Sequence, residues 1–260
     1  MSSVKAIHSR DNPLLVRLRK LLADPGAYRK FGELWLAGDH LCSAFVQRGG
    51  VPTQAVISES AWAEVRLREL AQQADNVAVL PPALMDGLGR LESPAPIGFL
   101  VPWQGGDAAP TTGVASIVLD RLQDAGNVGT ILRSASAFGF TQVIAMKGTA
   151  ALWSQKVLRA GMGAHFALQL VEAVDALPEL GVPLLASSSH AAQAIDRAAL
   201  PWPCAWVLGH EGQGVSAMIE RRCAMTLRIP QPGGEESLNV GAAAAICLYE
   251  SARQRGALST

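Results

Sequence analysis

From residue 115 onward the chain repeats one pattern, a short apolar run followed by a stretch with helical periodicity. The runs fall at 115–120, 142–146, 166–170, 183–187, 205–209 and 225–229. The helical stretches fall at about 127–138, 154–161, 172–177, 191–199, 215–222 and 239–252. Continuously apolar strands are buried on both faces, and strands joined through helices pair in parallel. The pattern therefore predicts an α/β fold with a mostly parallel sheet and helices on both faces. In such sheets ligands bind beyond the carboxyl ends of the strands, which directs attention to the loops that follow each run.

The chain ahead of this pattern is organised differently. A capped amphipathic helix is predicted over 9–22, with Pro13 in its first turn and Leu14, Leu15, Leu18, Leu21 and Leu22 along one stripe. Short strands follow at 34–36, 55–57, 77–80 and 99–101, with helices at 39–47 and about 61–73. Residues 1–103 thus read as a small α/β domain and residues 114–260 as a second domain. The stretch 104–113, QGGDAAPTTG, reads as the linker by its composition.

Totals exclude more than they select. Lys plus Arg and Asp plus Glu each number 22, so net charge names no partner. The distribution is more telling: residues 1–30 hold seven basic residues (Lys5, Arg10, Arg17, Arg19, Lys20, Arg29 and Lys30) against Asp11 and Asp24. That suits a phosphate-rich partner and equally a solvated helix face. Cys42, Cys204, Cys223 and Cys247 lack C-x-x-C or metal-ligand spacing, and the histidines form no zinc motif, so no metal is expected. No leader or membrane-length apolar run is present, so the expectation is a soluble, cytoplasmic protein with no membrane attachment.

Three strand ends carry polar and glycine clusters. In the first, LDRLQDAGNVGTILRSASAFGF, Asn127 is flanked by Gly126 and Gly129, and Arg133 follows inside an apolar helix. In the second, Leu208-Gly209-His210-Glu211-Gly212-Gln213-Gly214-Val215-Ser216, the glycines permit close backbone approach. Neither a dinucleotide fingerprint nor a Walker loop is matched, which disfavours a nucleotide-dependent oxidoreductase. The third, TLRIPQPGGEESLNVGAAAAICLYE, reads as a strand ended by Pro230, a Pro/Gly turn, and a helix start carrying Ser237 and Asn239. Glu235 and Glu236 precede that helix, where its dipole favours acids.

Taken together, in order and spacing, these clusters resemble the three motifs of the SpoU family of RNA methyltransferases, in the SPOUT class. The segment Lys156 to Gly163, with Arg159, is also family-like, and the resemblance covers about residues 114–255. Ser9-Arg10-Asp11-Asn12-Pro13 and the basic helix after it look like the ribosomal-protein-like substrate-binding domain that precedes many SpoU catalytic domains. The basic run is thinner here, and Ala37 stands before Gly38 where an acid is usual.

The resemblance implies transfer of a methyl group from S-adenosyl-L-methionine to a ribose 2′-hydroxyl of RNA, with ribosomal RNA favoured over transfer RNA by the N-terminal domain. It also implies a deep C-terminal trefoil knot and a homodimer. By motif match, Asn127, Arg133, Glu211, Ser237 and Asn239 are the catalytic positions, and Leu208, Gly209, Ile229 and Leu238 hold the cofactor. Arg10, Arg17, Arg19, Lys20, Arg29, Lys30 and Arg159 would meet RNA. The family's usual candidate for taking the hydroxyl proton is the motif-one arginine. A guanidinium stays protonated in proteins, so Arg133 is better read as a phosphate clamp that eases alkoxide formation. Two positions depart from the common pattern: Gly241 follows Asn-Val where serine is common, and Gly161 and Gly163 stand near Arg159 where a serine is common. A base methyltransferase of the wider class, a tRNA ribose methyltransferase and a non-catalytic RNA-binding assembly factor are the competing readings.

Overall fold

The computed structural model describes residues 3–88, 95–105, 108–233 and 237–256. It divides by contacts into two compact units, residues 1–106 with 153–166 and residues 107–152 with 167–260. The segment 153–166, counted with the second domain by the sequence reading, packs with the first unit.

The first unit contains β1 (Ser3–Ala6), α1 (Pro13–Ala23), α2 (Ala27–Phe31), β2 (Glu33–Ala37), α3 (Asp39–Gln47), β3 (Gln54–Ser58), α4 (Glu59–Ala63), α5 (Val65–Ala71), β4 (Asn76–Leu80), α6 (Pro82–Asp86) and β5 (Ile97–Pro102). Its five strands are ordered β1-β4-β3-β5-β2, with β1, β4 and β3 parallel and β5 antiparallel to both β3 and β2. Helix α1 starts as its sequence dictates: Asn12 Oδ1 accepts from Leu14 N at 3.0 Å, Pro13 takes the first turn, and Leu15, Leu18 and Leu21 are buried. The single helix expected over 61–73 is instead two, because Glu64 takes an extended conformation between α4 and α5.

The second unit opens with β6 (Ser116–Asp120), α7 (Ala125–Ala137) and β7 (Gln142–Met146). Next comes α8 (Gln155–Gly161), which belongs to the first unit. There follow β8 (Gln169–Val174), β9 (Leu184–Ser187), β10 (Gln193–Ala194), β11 (Ala205–Gly209), α9 (Ala217–Glu220), β12 (Cys223–Arg228) and α10 (Val240–Gln254). The seven strands are ordered β10-β12-β9-β11-β6-β7-β8 and every pairing is parallel. Strands β6 and β7 are buried at every position, which requires cover on both faces of the sheet. On one face Val118, Ile144, Val207 and Ile219 share a core. Toward α10, Trp206 is fully buried and its indole N–H donates to Ser251 Oγ at 2.9 Å.

Two expected helices do not form. Residues 172–177 begin as β8 and then leave it, with Ala173 at φ +57° and the β7–β8 register shifting between Ile144 and Met146. The alanine-rich 191–199 yields β10, paired with Leu227 and Arg228 of β12, and a single 3₁₀ turn over Ile195–Arg197. Sheet pairing overrides helix propensity there. The run expected at 166–170 starts later, because Ala164–Ala167 forms a 3₁₀ turn. The helix expected at 215–222 is reduced to the four residues of α9. The end of the presumed linker is tied down: Thr111 N donates to Gln142 Oε1 at 2.7 Å, and Gln169 Nε2 donates to the Ala109 carbonyl at 2.8 Å.

The two glycines near Arg159 have a packing reason. A Cβ on Gly161 would lie 2.5 Å from His165 Cε1, and one on Gly163, at φ +87°, would lie 2.7 Å from the Ala44 Cβ. His165 is 1% exposed and its ring lies 5.1 Å from that of Trp153, so it has no space to retreat. Introducing the serine by Gly161→Ser is therefore expected to destabilise the protein by about 1–3 kcal/mol through overpacking. Urea denaturation checks this, as a lower transition midpoint with an unchanged slope.

Candidate active site at the carboxyl ends of the strands

Because the sheet is parallel, the loops after β6, β11 and β12 all emerge at one rim. Helix α7 begins five residues after β6. Its N-cap is Asp124, whose Oδ1 accepts from Asn127 N at 2.7 Å. Helix α10 is capped by Asn239, whose Oδ1 accepts from Gly241 N at 2.9 Å and Ala242 N at 3.3 Å. With that oxygen engaged, the Asn239 amide donates from Nδ2 to Asn127 Oδ1 at 2.9 Å. Asn127 in turn donates from Nδ2 to Glu211 Oε1 at 3.2 Å. The Glu211 carboxylate also accepts from Asp124 N at 3.2 Å and Gln123 N at 3.3 Å. Glu211, Asn127 and Asn239, one residue from each cluster, therefore form a single string that runs from a carboxylate to a helix start.

Burial pushes the Glu211 carboxyl upward, but its own backbone N–H, the Asn127 amide and the N–H groups of Asp124 and Gln123 outweigh that and hold it below the ordinary value. Glu211 accordingly stays an acceptor. Its partners are two backbone N–H groups and an amide, rather than an arginine.

The remaining expected residues fall around this string. Arg133 lies on α7, exposed, with no hydrogen-bond or ion-pair partner among the described residues. Ser237 is exposed just ahead of the α10 cap. Leu208 is 1% exposed at the end of β11, so only its backbone can meet a ligand. Gly209 ends the same strand, and a Cβ there would fall on Gly214 C and Val215 N. The glycine is thus required by the loop folding back on its own strand. Ile229 is half-buried after β12 and Leu238 is exposed. Two residues beyond Ile229, the buried Gln231 Oε1 has no hydrogen-bond partner among the described residues. A buried acceptor left unpaired by the described residues fits a ligand that carries amino groups, such as S-adenosyl-L-methionine. Glu235 and Glu236 lie outside the described residues.

In the first unit, Arg10, Lys20 and Lys30 are exposed, Arg19 Nη1 donates to the Arg10 carbonyl at 2.7 Å, and Arg17 pairs with Glu33 at 2.8 Å. The Arg29 guanidinium lies 4.8 Å over the Tyr28 ring, and Arg159 is exposed on α8. Among the described residues there is no group of three or more His, Cys, Asp or Glu that could hold a metal, and no helix long and apolar enough to cross a membrane. Burial pushes the Cys204 and Cys247 thiols up to about 12, so neither is a nucleophile at neutral pH.

Gly241 is fitted into this arrangement. A Cβ there would lie 3.1 Å from Asn239 Oδ1 and 3.4 Å from Thr130 Cγ2, pressing on the atom that caps α10. Sequence reasoning missed Asp120 and Arg121 at the tip of β6. Asp120 is 2% exposed, and its Oδ1 accepts from Arg121 Nε at 3.0 Å. Arg121 has φ +62°, a left-handed conformation that costs a non-glycine residue on the order of 1 kcal/mol. The available signal was an acid ending an apolar strand, since a buried carboxylate requires partners.

A wholly parallel sheet with polar side chains from three loops joined at its carboxyl rim defines a ligand-binding α/β domain of the doubly wound kind. Residues 115–249 match the model of the SpoU rRNA methylase family. The chain is 31% identical over 270 residues to an uncharacterized tRNA/rRNA methyltransferase of Synechocystis sp., covering 100% of this chain and 97% of that protein. It is 36% identical over 144 residues to the 23S rRNA (guanosine-2′-O-)-methyltransferase RlmB of Nitrosomonas europaea, a match to 53% of this chain that spans 55% of that protein. A crystal structure of an RNA 2′-O ribose methyltransferase superposes with a TM-score of 0.81 at 27% identity, over 96% of this chain and 99% of that one. The chain belongs to the SpoU rRNA methylase family.

Acid should loosen this site in a definite pH window. Burial raises the Asp120 pKa, but the hydrogen bonds from Arg121 and Ser216 outweigh it, so Asp120, like Glu211, has a folded pKa below its unfolded value. Such groups contribute stability that is present above the unfolded carboxylate pKa and lost as pH falls through the folded one. The melting temperature should therefore fall as pH drops below about 4. Asp120→Asn should show a shallower fall over the same range, measured by thermal denaturation as a function of pH.

Proposed function

We propose that this chain is a cytoplasmic enzyme that transfers a methyl group from S-adenosyl-L-methionine to a ribose 2′-hydroxyl of RNA, with ribosomal RNA as substrate. The observation that carries this reading is the Glu211–Asn127–Asn239 string, which unites the three motif clusters at the ligand rim of a SpoU-family fold. When bound, S-adenosyl-L-methionine supplies a methyl group already activated by a positively charged sulfur. That methyl group would go to the ribose oxygen, whose proton would pass to a substrate phosphate or to water, the sulfur leaving as a neutral thioether.

The chain's own task is then alignment, exclusion of water and stabilisation of developing negative charge. Arg133 is exposed with its guanidinium uncommitted among the described residues, which suits a phosphate clamp beside the reacting hydroxyl. Glu211, with three N–H donors, acts by fixing the start of α7 and the orientation of Asn127. Asn239 ties the start of α10 to that group, and Ser237 orients the substrate. Leu208, Gly209, Ile229 and Leu238 hold the cofactor, mainly through backbone and apolar contact. Arg10, Arg17, Arg19, Lys20, Arg29 and Lys30, within a ribosomal-protein-like domain over 1–103 that precedes the catalytic domain over 114–260, supply RNA phosphate contacts together with Arg159.

Two features of the fold belong to the same reading. The chain passes from β9 to β10 at the sheet edge, back across to β11 on the other side of β9, and then to β12 between β10 and β9, a winding that supports a trefoil knot closed by the third cluster. The outer face of α10 exposes Ile246 and Tyr249, and Tyr249 meets Phe138 edge-on at 5.8 Å, which supports a homodimer joined through α7 and α10.

Arg133→Ala should abolish methyl transfer to RNA while leaving S-adenosyl-L-methionine binding within about twofold, because a phosphate clamp acts on substrate alone. Radiolabel incorporation and calorimetry read the two quantities. Nuclease digestion with mass spectrometry of the wild-type product should place the methyl on ribose; a methylated base or an active Arg133→Ala would sink the assignment.

A further inference from the structure

The Asp120–Arg121 pair stands at the head of the first motif cluster, ahead of Asn127, yet both residues grip the second cluster. Asp120 Oδ2 accepts from Ser216 N at 2.6 Å, fastening the end of the 210–216 loop to the tip of the neighbouring strand β6. Arg121 Nη1 donates to Gln213 Oε1 at 3.1 Å, fastening the middle. The rest of the loop closes on itself: Gly214 N donates to the His210 carbonyl at 2.8 Å, and Gly212 N to His210 Nδ1 at 3.0 Å. Arg121 is itself anchored, since its N–H donates to Thr149 Oγ1 at 3.1 Å and Thr149 Oγ1 donates to the Leu119 carbonyl at 3.0 Å.

A surface turn needs none of this. A buried carboxylate, an arginine in a left-handed backbone conformation and a glycine pressed under the returning loop form a restraint that costs free energy locally. Such restraints persist where the geometry they impose is used. The restrained element is the loop between Gly209, which carries the cofactor assignment, and Ser216. Glu211, which organises the α7 start, projects from the same loop. Fixing the loop through β6 sets the backbone around Gly209 and the Glu211 carboxylate in one frame.

We propose that Asp120 and Arg121 are positioning residues that hold the 210–216 loop in its cofactor-binding shape, Asp120 through the Ser216 N–H and Arg121 through Gln213. This rests on the reading that the loop binds S-adenosyl-L-methionine. Both residues act through the loop, so their effect falls on cofactor affinity. Pre-ordering a loop removes an ordering cost that binding would otherwise bear.

The test uses full-length protein, calorimetry with S-adenosyl-L-methionine, and initial rates with RNA. Asp120→Asn keeps shape but loses the charge that Arg121 holds. Gln213→Ala removes an exposed side chain, so folding is not at stake, and Gln213→Glu retains an acceptor for Arg121. Loss of a hydrogen bond to a charged group corresponds to about tenfold in affinity. Asp120→Asn and Gln213→Ala are therefore expected to raise the cofactor Kd and KM about tenfold, with kcat at saturating cofactor within about twofold, while Gln213→Glu binds as wild type does. Wild-type affinity in both Asp120→Asn and Gln213→Ala, or a fall in kcat with unchanged KM, overturns the proposal. Failure of the wild type itself to bind the cofactor overturns the functional reading, and this proposal with it.

Discussion

The Glu211 carboxylate and the two asparagine amides in line with it are the interaction on which the site depends. The string has a direction fixed at one end by backbone chemistry. Asn239 must turn its oxygen toward the free N–H groups of α10, so only its Nδ2 is left to face Asn127. Asn127 must then accept with its oxygen and donate with its nitrogen, and the acceptor at the far end is a carboxylate that accepts from two further N–H groups at the start of α7. Only a side chain carrying a donor and an acceptor can occupy the middle position. An aspartate there would face Glu211 with like charge, and an alanine would break the path.

That string can form only because the sheet is parallel throughout. Parallel pairing delivers the ends of β6, β11 and β12 to one rim, so residues separated by 84 and 112 positions meet within hydrogen-bond distance. The wholly buried central strands make this frame stiff, which suits a reaction whose demand is alignment. The glycines serve the frame as well. Gly209 lets the second loop fold against its strand, and Gly241 leaves the oxygen of Asn239 uncrowded.

Much of this was legible in the sequence for a physical reason. Central strands buried on both faces are apolar over nearly their whole length, so 142–146 and 205–209 stand out with the bounds observed. The edges carry weaker signals. Strand β10 is two residues long within an alanine-rich segment whose local preference is helical, and only its pairing with β12 decides the outcome. The three clusters were visible because each follows an apolar strand at the rim where parallel sheets bind ligands; their joining into one string was not, because hydrogen-bond direction is a property of three-dimensional placement. Asp120 ends the run expected at 115–120, and its burial under Ser216 and Arg121 appears only once β6 and the 210–216 loop are side by side. Gly161 and Gly163, read as missing hydroxyls, are places where His165 and Ala44 leave no volume.

The chemistry proposed for this frame asks little beyond a clamp, an ordered cofactor loop and a fixed helix start, the roles proposed for Arg133 on α7, the 210–216 loop and the Asn239 cap of α10. What distinguishes this account from a fold retained for RNA binding alone is a covalent mark on RNA. Mapping 2′-O-methyl groups across ribosomal and transfer RNA from cells with and without this protein reads that mark directly. The account predicts that at least one ribose methyl group in ribosomal RNA disappears when the protein is absent and returns with the wild-type chain. Identical maps in the two strains, or loss of a base methyl group alone, would contradict it.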